Sequence, residues 1–144
     1  MINNALFYTC SLIEFITRKT KHTHKEVIAF LGMDVDRIYK YHDVFHCEPI
    51  EKVADDFIRR CNIGTGNTDY ITSCRYDVPD YWDIGEVFQR LVEDCYPTEM
   101  YIDGIKDVFG SWLAVRISNY NSDLYYQSRD YLAECYKAGE LLVA

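Results

Sequence analysis

The sequence predicts an all-α protein. Apolar residues recur at three- and four-residue spacing along most of the chain, and strict apolar–polar alternation is almost absent. Capping signals stand where the periodic stretches begin and end. With 144 residues, 49% of them apolar, the chain is long enough to bury a core and too apolar to remain disordered. The expected architecture is six to seven helices in two small packed units. These are an N-terminal helical unit over 1–61, a packed connecting segment over 62–80, and an acidic, Tyr-rich helical unit over 81–144.

The first helix is expected over 3–19, where Ala5, Leu6, Thr9, Leu12, Ile13 and Ile16 make one stripe. Arg18 and Lys19 complement its negative C-terminal end. Thr23-His24-Lys25-Glu26 is a capping box, in which the Thr hydroxyl and the Glu carboxylate each satisfy a free backbone N–H. Val27, Ile28, Phe30 and Leu31 follow, and Gly32 closes that helix. Asp34 is expected to cap a third helix carrying Val35, Ile38, His42 and Phe45 on one face. Pro49 suits the first turn of a fourth, with Ile50, Val53, Ala54, Phe57 and Ile58 as its stripe.

Turn formers then break the periodicity over 62–80, and Tyr70-Ile71-Thr72 reads as one short extended piece. Trp82, Ile84, Val87, Phe88, Leu91, Val92 and Cys95 outline the next helix, ended by Pro97-Thr98. The longest stripe runs from Ile102 to Ile117. Gly104 and Gly110 each weaken it by about 1 kcal/mol relative to Ala and leave room for a close neighbour. A last helix is expected from Tyr125 to Lys137.

Charge divides the chain unevenly. Residues 73–144 hold thirteen Asp/Glu against six Lys/Arg, while residues 1–72 hold ten against nine. The net charge of -8 therefore belongs almost entirely to the second half, which also holds both tryptophans and most of the thirteen tyrosines. Acid with aromatic suits a basic protein partner and suits neither phosphate nor an anionic membrane surface. No stretch of eighteen apolar residues offers a membrane span. Met1-Ile2-Asn3-Asn4 lacks the basic start of a signal peptide, so a cytoplasmic protein with six free thiols is expected.

Tyr76-Asp77-Val78-Pro79-Asp80-Tyr81-Trp82-Asp83 interleaves large aromatics with acids, and Tyr120 to Tyr126 repeats the theme. Tyrosine and tryptophan bring large contact area at low entropic cost. The expected partner-binding residues are Tyr81, Trp82 and Tyr126 as anchors, Tyr125 beside them, and Asp77, Asp80 and Asp83 steering a basic partner. The plainer alternative is that these aromatics cover the ends of the helical core.

His42 and His46 stand four apart beside Cys47, a spacing that puts two imidazoles on one helix face and makes them weak metal candidates. His22 and His24 could add nitrogens, but no acidic or Cys pair of diagnostic spacing stands beside them, and a core-facing His42 with an exposed His46 is the favoured reading. No nucleophile elbow, phosphate loop or convergent carboxylate pair appears, so neither catalysis nor a cofactor is expected. Residues 23–46 have the rhythm of a helix-turn-helix, which makes a DNA-binding regulator the alternative function. The would-be recognition helix opens with Asp34-Val35-Asp36, and those carboxylates disfavour nucleic acid.

Phe7-Tyr8-Thr9-Cys10, Thr23-His24-Lys25-Glu26-Val27, Tyr41 to His46 and Asp55-Asp56-Phe57-Ile58 together resemble a family of short bacterial proteins known as a domain of unknown function. Tyr76 to Gly85, Ser111-Trp112-Leu113 and Glu134 to Gly139 are similar to a second short protein type from the same gene neighbourhoods. Those neighbourhoods include a protein resembling ADP-ribosyltransferase toxins. The resemblance implies an antitoxin-like or accessory binding role toward a basic, toxin-like enzyme encoded nearby, with the two parts fused here.

Overall fold

The computed structural model describes residues 3–143; Met1 and Ile2, which entered the reading of the N-terminus, and Ala144 lie outside them. Among the described residues there are nine α-helices and no strand. They are α1 (Asn4–Thr20), α2 (His24–Leu31), α3 (Asp34–Lys40), α4 (His42–Phe45), α5 (Ile50–Arg60), α6 (Tyr81–Cys95), α7 (Tyr101–Phe109), α8 (Trp112–Ile117) and α9 (Arg129–Ala138). Short 3-10 turns precede α7 at Thr98–Met100 and α9 at Leu124–Tyr126.

The helix count exceeds six to seven because two expected helices are split. The 102–117 stripe breaks at Gly110-Ser111, where Ser111 Oγ donates to the Val108 carbonyl at 2.6 Å and the chain turns into α8. Residues 34–45 break at Tyr41, whose φ and ψ of -113° and 27° leave the helical well. Asp34 does not cap α3: Met33 holds that position, and the Asp34 carboxylate is drawn away to Arg60 at 3.0 Å. The last helix starts later than expected, at Arg129, because Ser128 caps it by accepting from the Tyr131 N–H. Tyr70-Ile71-Thr72 is a turn and not an extended piece, since Asp69 Oδ1 accepts from the N–H groups of Ile71 and Thr72.

The two-unit arrangement is also revised. The most extensive helix pairing in the molecule joins α1 of the first half to α6 of the second, and one apolar cluster runs through both halves. Their crossing is close because α6 has Gly85 there: a Cβ at that position would lie 2.8 Å from Ser11 Cα and collide with Ser11 Oγ. Gly104 plays the same part in α7, where a Cβ would meet the Tyr96 ring at 2.8 Å. The connecting segment is held down by backbone bonds from the N–H groups of Gly66 and Thr68 to the carbonyls of Thr20 and Lys21.

Candidate functional site

The strongest polar constellation is buried and joins both halves. Glu14 on α1 is fully buried, and three donors converge on it. His24 Nε2 lies 2.7 Å from Oε1, Arg18 Nε donates to Oε2 at 2.8 Å, and the Tyr120 hydroxyl donates to Oε2 at 3.2 Å. Burial alone pushes the Glu14 carboxyl up, but the charge and hydrogen bonds of His24 and Arg18 overcome this and hold it at about 2. Glu14 is therefore ionised and accepts only, which places a proton on His24 Nε2. Burial and the Glu14 charge push the Tyr120 hydroxyl up, so it stays neutral and able to donate. Arg18 also lies over the Tyr120 ring, 5.4 Å from its centroid.

Ser118 Oγ lies 3.4 Å from His24 Nδ1, so serine, histidine and carboxylate stand in a row. The row is not poised for nucleophilic attack. Ser118 is 1% exposed, its hydroxyl donates to the Ala114 carbonyl at 2.8 Å, and the rings of Tyr70, Phe88 and Phe109 enclose the imidazole. The arrangement locks α1, α2 and the Ser118–Tyr120 turn together. From sequence Glu14 is given no role, and His24 is a capping-box residue and a candidate metal nitrogen. The available signal was Arg18 one turn after Glu14 in an otherwise buried stripe.

The expected partner-binding residues divide into two sets. Tyr81 and Trp82 are half-buried and turn onto α1, with Tyr81 edge-on to Phe15 at 4.9 Å and Trp82 5.4 Å from Phe7. Asp80 caps α6 by accepting from the Asp83 N–H at 2.7 Å. Asp77 and Asp83 are exposed, Tyr125 packs edge-on against Tyr120 at 5.7 Å, and Tyr126 is 79% exposed. The two aromatic–acidic segments, far apart in sequence, are stitched together by Asn121, which accepts from the Arg75 N–H at 2.8 Å and donates to the Ser73 carbonyl at 3.0 Å. Tyr76, beside that stitch, is 68% exposed.

Ion pairing sharpens the charge asymmetry. Eight of the ten acids in 1–72 lie within ion-pair distance of a basic side chain. Of the thirteen in 73–144, only Glu86, Glu93, Asp94 and Glu134 do so among the described residues. Asp34 and Asp36, at the start of the would-be recognition helix, are engaged by Arg60 and Lys106.

His42 Nδ1 sits 3.2 Å from the Tyr39 carbonyl, and the His46 ring packs tilted against Tyr8 with centroids 4.9 Å apart. The two histidines share a shallow surface hollow with Cys47, yet among the described residues no group of three or more potential ligands gathers for a metal ion. All six cysteines are unpaired. No described helix is long and apolar enough to cross a membrane. Comparison with protein-family models, with curated proteins and with solved structures finds no match to the chain.

Proposed function

We propose that this chain is a non-enzymatic protein-binding module whose second-half surface docks a basic protein. One observation carries the reading: nine of the thirteen carboxylates of that half lack an ion-pair partner among the described residues, whereas eight of the ten in the first half have one. Unpaired surface charge of one sign raises the encounter rate with a partner of the other sign. The exposed rings of Tyr76 and Tyr126 supply contact area within the same stitched region. The partner is a toxin-like enzyme encoded nearby, and the module acts as an antitoxin-like or accessory cover over its basic cleft.

The test is co-expression of the tagged chain with the neighbouring ADP-ribosyltransferase-like product. A complex that weakens as salt rises is expected, and the combined Asp77→Asn, Asp123→Asn and Tyr126→Ala substitution should abolish it. No complex with the unaltered chain rules out that partner. A complex indifferent to the triple substitution rules out this surface.

A further inference from the structure

A second surface lies in the near-neutral half. Arg37, Tyr41, Val44, Phe45 and Glu48 recur at helical spacing along α3, α4 and the turn beyond, and form one wall of an open groove of about 570 Å³. The other wall is α5, through Lys52, Val53, Asp56, Phe57 and Arg60. The floor is apolar, with Val53 and Phe57 buried and Phe45 edge-on to Phe57 at 5.3 Å. Beside it two apolar side chains stand out of the protein, Tyr41 at 50% and Val44 at 63% exposure. A ridge and a groove of matching character are therefore neighbours on one face.

The charges on this face choose the occupant. A groove for an acidic or a basic peptide would carry one sign. This one carries both, and the α3–α4 wall is polarised, with Arg37 at its start and Glu48 at its end. Two copies related by a two-fold axis across that wall run antiparallel, so each Arg37 meets the other copy's Glu48. The same register sets each exposed Tyr41 against the other copy's exposed Val44, so the two apolar ridges cover one another. Arg37 has no ion-pair partner among the described residues, and Glu48 is held only by Lys52 in a surface pair about half exposed on both sides, which costs little to exchange. We propose that this face is the interface of a two-fold dimer of the chain, built from α3, α4 and the turn beyond.

Light scattering during size exclusion, repeated over a wide range of protein concentration, reads the mass directly. A concentration-dependent dimer is expected. Val44→Glu, at an exposed position where folding tolerates it, should raise the dimer dissociation constant about tenfold or more while leaving the circular dichroism unchanged. Arg37→Glu should weaken the dimer, and adding Glu48→Arg to it should restore most of the loss. A chain that stays monomeric at every concentration overturns the proposal. So does a dimer that Val44→Glu leaves intact.

Discussion

Glu14 and His24, ten residues apart in sequence and on different helices, meet at 2.7 Å with both side chains closed off from solvent. A carboxylate this deep is tolerable only while its donors stay in place, because an unpaired buried charge costs far more than the pair gains. One donor, Tyr120, comes from the opposite half, so the contact ties the two halves of the chain to each other.

Stability should fall in acid through Glu14. Its folded pKa of about 2 lies below its ordinary value of 4.5. A depressed carboxyl stabilises the fold above the ordinary value, and that stabilisation is lost as pH drops from about 4.5 toward about 2. Urea midpoints measured across this window should decline. Asp69, held at about 2 by the N–H groups of Thr72 and Ile71, titrates in the same range from the surface. The difference between the unaltered chain and Glu14→Gln therefore isolates the buried group.

Removing single donors should produce graded losses. His24→Ala strips the carboxylate of its shortest contact and opens space among Tyr70, Phe88 and Phe109, and about 3–5 kcal/mol of unfolding free energy should go. Tyr120→Phe removes two 3.2 Å hydrogen bonds, one donated to Glu14 and one accepted from Arg18, and keeps the ring, so about 1–3 kcal/mol is expected. No loss from Tyr120→Phe beside a large loss from His24→Ala in urea unfolding would show that packing, and not the carboxylate's donors, sets the effect.

The α1–α6 crossing should reject a single methyl group. Gly85→Ala presses a Cβ into the backbone of Ser11 and should cost about 1–3 kcal/mol or more. Ser11 Oγ is buried without a hydrogen-bond partner, so Ser11→Ala by itself should be neutral or stabilising. In the Gly85→Ala background it should recover part of the loss, which a thermal-unfolding double-mutant cycle would measure.

The aromatic residues should separate by role. Tyr126→Ala and Tyr76→Ala touch little of the fold and should change stability by no more than about 0.5 kcal/mol. Trp82→Ala removes packing against Phe7 and should cost about 2–4 kcal/mol. Partner binding lost only with destabilisation would assign Trp82 to the core, whereas binding lost in a fully stable Tyr126→Ala protein would assign Tyr126 to the interface.

By itself the sequence determined the helical class, the capping box at Thr23–Glu26 and the stripes that became α1, α5 and α6. Those signals are local: a stripe or a cap is written within a few residues of where it acts. It also located the acid in the second half, since charge is additive along a chain. Only the tertiary structure decided which acids are neutralised, because ion pairs such as Asp34–Arg60 and Asp36–Lys106 form across long separations. The same holds for Trp82, whose composition reads equally as anchor or as packing until Phe7 is placed beneath it. Glu14 marks the limit most clearly. Periodicity sees a charged residue in an apolar stripe, and its resolution lies in His24 and Tyr120, brought by other elements to one point.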